Sequence, residues 1–208
     1  MNKQKSKEIL DILKEIIVNP APELDFHNTF ELIIAVVLSA QTTDKRVNMT
    51  TKELFKKYPD PLSLSQADYD TVEEIVRPLG LSKTKAKNII ALSDILHKEY
   101  MDIVPSDFNR LVKLPGVGRK TASVVLAVGF NLPAMPVDTH LYRMAQRLGY
   151  IKEADSIKEA EDAYKKYIPK DEWAKAHHLF LLFGRYHCKA MNPECLDCKL
   201  KKYCKYKG

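Results

Sequence analysis

The chain has 208 residues, 45% of them hydrophobic and 29% charged, with a formal net charge of +6. That length suffices for one large domain or two small ones, and the apolar fraction excludes an intrinsically disordered chain. The basic balance favours a polyanionic partner, nucleic acid above all.

In chain order, apolar residues recur at helical spacing almost throughout. Met1 to Leu10 mixes Lys3, Lys5 and Lys7 with Glu8 and has neither a secretion-signal core nor an Arg-rich transit pattern. The longest apolar run, Leu32 to Leu38, falls far short of the roughly 20 residues of a membrane span. A cytoplasmic chain with reduced thiols and no membrane partner is therefore expected. Ile9, Leu10, Leu13, Ile16 and Ile17 predict a first helix that Pro20 and Pro22 close. Asn28 followed by Glu31 predicts a capped helix over Phe30 to Leu38. A strand is the competing reading for so much Ile and Val, but length and cap favour the helix.

Further helices are expected from about Thr43 to Lys57, from Asp70 to Pro78-Leu79-Gly80, and from a cap at Ser82 along Ala86, Ile89, Ile90 and Leu96. Ser106 and Asp107 predict a short helix ending at Leu114, and Arg119 to Val128 another. Val137-Asp138-Thr139 leads into one carrying Leu141, Met144, Ala145 and Leu148. Ser156 with Glu159 reads as a capping box, and a last long helix is expected from Asp171 toward Tyr186. There is no clear alternating strand pattern, fixed-period repeat or low-complexity tract, so the class is all-α.

Two helices are joined by Leu114-Pro115-Gly116-Val117-Gly118. Glycines reach positive φ and carry no side-chain bulk. The helix that follows offers unpaired N–H groups and the positive end of its dipole. Such a turn can seat a phosphate without reading a base, with Arg119 and Lys120 adding charge. Taken alone it is more readily an ordinary turn between packed helices. Asp138 alone reads as a helix cap. Cys188, Cys195, Cys198 and Cys204, with six, two and five residues between them, are the only cysteines. A disulfide framework would spread along the chain, so this clustering points to a metal, either zinc or an iron–sulfur cluster.

Together these stretches resemble one family. Leu114-Pro-Gly-Val-Gly-Arg-Lys-Thr-Ala122 resembles the helix-hairpin-helix of DNA glycosylases. Val137-Asp138-Thr139-His140, with Asp138 eighteen residues beyond Lys120, resembles the aspartate motif of that superfamily. The cysteine spacing, and Leu38-Ser-Ala-Gln41-Thr-Thr-Asp44, are similar to its iron–sulfur branch, the endonuclease III branch. The resemblance covers essentially the whole chain. It implies two helical domains with a DNA-binding groove between them. Residues 22–132 would form a six-helix barrel with the hairpin at about 107–128. Residues 1–21 plus 133–208 would form an iron–sulfur domain with its cluster loop at 188–204.

It also implies roles for single residues. Lys120 becomes the nucleophile: an amine can displace a base from the anomeric carbon and form an imine with the opened sugar, which a hydroxyl or water cannot. The imine acidifies the neighbouring proton, so the 3′ phosphate can leave by β-elimination. Lysine therefore implies two activities, base excision and strand cleavage. Asp138 would stabilise positive charge developing at the sugar. Leu114, Gly116, Gly118 and Arg119 would form the phosphate seat, and His140 and Lys189 would lie against DNA. Gln41 and Leu81 fall in segments resembling the family's two intercalating loops, where they would fill the gap left by a flipped nucleotide. The four cysteines would hold one [4Fe-4S] cluster. The implied partner is double-stranded DNA containing oxidised pyrimidines or abasic sites, bound by a monomer.

Three rivals share parts of this pattern. Adenine DNA glycosylases typically lack the lysine and carry a glutamate where this chain has Val37. An 8-oxoguanine glycosylase would keep Lys120 and Asp138 but typically lacks the cluster. A non-catalytic helix-hairpin-helix DNA-binding module would keep the glycines and lose Lys120 or Asp138.

Overall fold

The computed structural model describes residues 1–206, and every regular element among them is helical. The α-helices are α1 (Lys3–Ile16), α2 (Thr29–Leu38), α3 (Asp44–Lys57), α4 (Pro61–Ser65), α5 (Tyr69–Val76) and α6 (Ser82–Tyr100). After them come α7 (Phe108–Leu111), α8 (Arg119–Val124), α9 (Thr139–Arg147), α10 (Ile157–Tyr167) and α11 (Trp173–Tyr186). The chain divides into two compact units: Pro22–Asn131, and Met1–Ala21 together with the chain from Leu132 onward. Among the described residues no helix is long and apolar enough to cross a membrane.

The central unit is built on α2. Every residue from Phe30 to Leu38 is buried, which is why the segment is apolar on all sides rather than along one stripe. Each buried Leu or Ile contributes about 1.5–3 kcal/mol. Asn28 starts the helix by accepting the Glu31 N–H at 2.9 Å, and the Glu31 carboxylate accepts the His27 N–H at 2.7 Å. With the Glu31 N–H capped and no strand to pair with among the described residues, the Ile/Val-rich segment coils.

Several boundaries differ from the sequence expectation for local reasons. Ser82 does not cap α6. The cap position falls to Leu81 in a left-handed conformation, and the Ser82 hydroxyl instead donates to Glu73 Oε1 at 2.5 Å. The helix after Asp107 stops at Leu111, and the chain turns through Leu114 with Leu114 N–H on Leu111 O at 3.0 Å. The helix opening at Arg119 widens into a π-helical turn over Val125–Gly129. Gly129 lies against α2, where an added Cβ would meet Leu32 Cδ2 at 2.8 Å. The last long helix is preceded by a 3-10 turn at Lys170–Glu172. Helix α4 lies in a stretch for which the apolar spacing predicts no helix; Asp60 and Ser63 form its capping box, with Pro61 in the first turn.

The second unit closes a core through residues distant in sequence. Ile9, Leu10 and Leu13 of α1 are buried in one cluster with Leu141, Met144, Tyr164 and Phe180. Two buried phenols of that core are paired: Ser6 and Tyr150 share a hydroxyl–hydroxyl bond of 2.7 Å, and Tyr164 donates to Leu141 O at 2.9 Å. The Ser156 and Glu159 capping box starts α10.

Candidate active site and cysteine loop

The hairpin owes its shape to one glycine more than the other. Val117 N–H closes the turn on Leu114 O at 3.1 Å, and Gly116 between them adopts φ +76°. A Cβ on Gly116 would stand 3.0 Å from Val37 Cγ1 and 3.1 Å from Asn88 Cβ, so both backbone and space demand glycine. Gly118 has φ −85° and an added Cβ would meet nothing within 4 Å. Among the described residues nothing requires glycine there, and the Gly118 backbone is exposed.

Gly118 occupies the cap position of α8, so Arg119 and Lys120 are the first two residues of that helix, and both side chains are exposed. The Arg119 guanidinium lies 5.1 Å from the Phe108 ring centroid, which gives it a fixed place beside the hairpin. Leu114 is buried, so its side chain serves the packing of the turn and its outward contribution is limited to backbone. Val37 is buried beneath the hairpin as the neighbour of Gly116.

The two candidate insertion residues share a property that spacing could not show. Gln41 and Leu81 are both exposed and both in left-handed backbone conformations, at φ +59° and φ +50°. Non-glycine residues rarely adopt this region, and a leucine there is an outlier. Such strain is common at functional sites, although Met101, Asp102, Asn131 and Asn192 share the conformation in this chain.

Asp138 is the cap of α9. Its Oδ1 accepts the N–H of His140 at 2.8 Å and of Leu141 at 2.9 Å, which fixes the carboxylate at the helix start. Among the described residues its Oδ2 receives no hydrogen bond. Capping and chemistry are thus compatible, one oxygen for each. His140 is half-buried with its Cβ facing Gly184, and its Nδ1 stands 3.2 Å from Arg143 Nη2. A guanidinium only donates, so that nitrogen is the acceptor.

Two arginines that sequence reasoning did not single out hold the start of the cysteine loop. Arg143 donates to Gly184 O at 2.5 Å and to Cys188 O at 2.9 Å. Arg147 donates to the Cys188 sulfur at 3.2 Å and to Lys189 O at 2.8 Å. The signal was present as spacing: His140, Arg143 and Arg147 line one face of the helix that Asp138 caps. At the far end of the loop, Lys205 N–H returns to Arg147 O at 2.7 Å.

All four thiols are unbridged. Burial pushes the Cys198 and Cys204 thiols up, and the other thiols of the loop add to the effect. A donor set of this kind is relieved by a cationic group that takes the thiolate form. Among the described residues no three His, Cys, Asp or Glu side chains are grouped to hold a single metal ion. Lys189 does not stand free, since its ammonium pairs with Glu194 at 2.8 Å, an exposed pair of small worth.

Residues 34–170 match the family described as HhH-GPD superfamily base excision DNA repair protein. The endonuclease III of Bacillus subtilis (strain 168) is 42% identical over 205 residues, covering 99% of this chain and 94% of the relative. That of Escherichia coli (strain K12) is 39% identical over 207 residues, covering 100% and 98%. A solved structure of a trapped endonuclease III–DNA covalent intermediate is similar with a TM-score of 0.94 and 45% identity, over 99% of this chain and 96% of that one. A thermostable thymine-DNA glycosylase shares the fold at a TM-score of 0.85 and 20% identity, over 98% and 96%. The chain therefore belongs to the endonuclease III family of the HhH-GPD superfamily, and it is an enzyme of base-excision DNA repair, a DNA glycosylase and abasic-site lyase.

Proposed function

We propose that this enzyme removes oxidised pyrimidines from duplex DNA through an imine on Lys120 and nicks the strand 3′ to the abasic site. The observation that carries the reading is the placement of Lys120, exposed in the first turn of α8 two residues after Gly118. It stands in a chain 45% identical to one caught covalently on DNA. The neutral Lys120 amine attacks the anomeric carbon, and the C–N bond to the base breaks with its electron pair leaving on the base. Ring opening gives an imine between Nζ and the sugar. Loss of the neighbouring proton then expels the 3′ phosphate by β-elimination, and water releases Lys120.

Asp138 supports the first step through its unoccupied oxygen, by stabilising positive charge on the sugar as the base departs. The hairpin backbone from Gly116 to Gly118, with Arg119, seats a phosphate and brings the sugar to Lys120. Gln41 and Leu81 enter the stack, where Gln41 can hydrogen-bond an orphaned base and Leu81 can wedge apolar surface between bases. Val37, at the position where the adenine-excising branch carries a glutamate, is buried and apolar, which favours the pyrimidine reading.

Cys188, Cys195, Cys198 and Cys204 would hold a [4Fe-4S] cluster, for which four unbridged thiols with an arginine on one sulfur are a fitting donor set. When bound, the cluster would cross-link the loop and need not do chemistry on DNA. Lys189 at the loop surface then reaches phosphate by exchanging Glu194 for it. Visible charge-transfer absorption of the purified protein tests the cluster. The reaction is tested by borohydride trapping on duplexes that each carry one defined lesion. A covalent adduct and a nick on oxidised pyrimidines support the reading. Excision confined to adenine or 8-oxoguanine, or no adduct on any duplex, would refute it.

A further inference from the structure

Lys85 is buried, only 4% exposed, near the start of α6. Its ammonium donates to the carbonyl oxygen of Leu79 at 2.9 Å, and its backbone N–H donates to Leu81 O at 3.0 Å. Among the described residues no carboxylate pairs with it, and burial pushes its pKa below the usual lysine value. Removing an ammonium from water without a counter-charge is strongly unfavourable. A methionine would fill the same space without that penalty, so the charge calls for a reason.

The segment it binds is a turn in need of restraint. The 3-10 turn Arg77–Leu79 runs into Gly80 at φ +69°, then Leu81 at φ +50°, ψ +31°. Leu81 is 57% exposed, so packing does not offset the strain in its backbone. The other side of the turn is tied by Ser82 on Glu73 Oε1 at 2.5 Å, with Arg77 on Glu73 Oε2 at 2.9 Å. The bond from Lys85 to Leu79 closes it from within.

We propose that Lys85 is a positioning residue, which by tying Leu79 O to the start of α6 holds the Gly80–Leu81 turn in the strained form that presents Leu81 to a base stack. The inference rests on the reading of Leu81 as a wedge. A loop ordered only on binding gives up part of its contact energy to lost conformational freedom. A loop set beforehand by a buried donor keeps it.

The test compares Lys85→Met, which keeps the length and loses the donor, with Lys85→Arg, Leu81→Ala and the double variant Lys85→Met/Leu81→Ala. Excision and nicking are followed on an oxidised pyrimidine paired in a duplex and on the same lesion in single-stranded DNA. A fluorescent purine analogue beside the lesion reports unstacking. The expected result is a loss of about tenfold in kcat/KM for Lys85→Met on the duplex, a blunted fluorescence rise, and a much smaller loss on the single strand. Lys85→Arg restores part of the duplex activity. The double variant is no worse than Leu81→Ala, because both changes act through the same wedge.

Equal losses on both substrates, losses that multiply in the double variant, or an unimpaired Lys85→Met enzyme beside an impaired Leu81→Ala enzyme overturn the inference. Unchanged Leu81→Ala activity overturns the wedge reading, and this inference with it. Should Lys85→Met fail to fold, Lys85→Gln, whose shorter side chain does not reach Leu79 O, carries the same comparison.

Discussion

The guanidinium of Arg147 stands 3.2 Å from the sulfur of Cys188, and the same nitrogen donates to Lys189 O at 2.8 Å. Arg147 ends the helix that Asp138 begins. One rigid element therefore carries a candidate catalytic carboxylate at its start and anchors the cysteine loop at its end. With Arg143 on Cys188 O, two cations gather carbonyls and a sulfur that would otherwise lie at a loose helix end. Arg147→Ala should lower stability by about 2 kcal/mol, because hydrogen bonds to charged groups exceed neutral ones. Urea unfolding measures that loss, and iron content per chain should fall with it.

The two hairpin glycines should separate stability from DNA binding. Gly116→Ala forces a Cβ into a left-handed backbone already touching Val37 and Asn88, and should destabilise the fold by about 1 kcal/mol or more. Gly118→Ala meets nothing among the described residues. It should leave urea unfolding unchanged and weaken binding to duplex DNA, measured by fluorescence anisotropy. Equal effects of the two substitutions on stability would contradict the assignment of Gly118 as open contact surface.

Lys120→Ala should remove the borohydride-trapped adduct and the nick while leaving the melting temperature nearly unchanged. Lys120 is exposed, and such positions rarely matter to stability by more than about 0.5 kcal/mol. Affinity for the damaged duplex should persist, since the phosphate seat and the wedge residues are untouched.

The buried phenols predict an alkaline limit. Burial pushes the Tyr150 and Tyr164 hydroxyls well above the usual tyrosine value, with the Ser6 hydroxyl partly opposing this at Tyr150. The folded state keeps them protonated where the unfolded chain releases the proton. Stability is therefore intact below pH of about 10 and falls above it, by up to about 1.4 kcal/mol per pH unit for each phenol. Ultraviolet titration should show these two ionising only as the protein unfolds. Tyr150→Phe should flatten the alkaline fall in urea-unfolding stability.

Much of the site was legible along the chain because it depends on short-range order. A cap is made within three or four residues, so Asn28, Asp107, Asp138 and Ser156 announced their helices. Ser82 misled because its hydroxyl had a distant rival for its bond, Glu73 on the preceding helix. The placement of Lys120 after the glycine turn and the spacing of the four cysteines are likewise properties of covalent order.

Other features were settled by the folded chain alone. Ser6 meets Tyr150 across 144 positions, and Arg147 meets Cys188 across 41. No pattern in either segment names the other, because long-range pairing is decided by which apolar faces pack together. The left-handed backbone of Gln41 and Leu81 and the buried ammonium of Lys85 belong to the same class. Each is a local arrangement unfavourable on its own that persists because the surrounding fold holds it. The sequence by itself determined the family and named the candidate reacting groups. The tertiary structure decided how firmly each group is held, because rigidity comes from packing and long-range hydrogen bonds rather than from residue type.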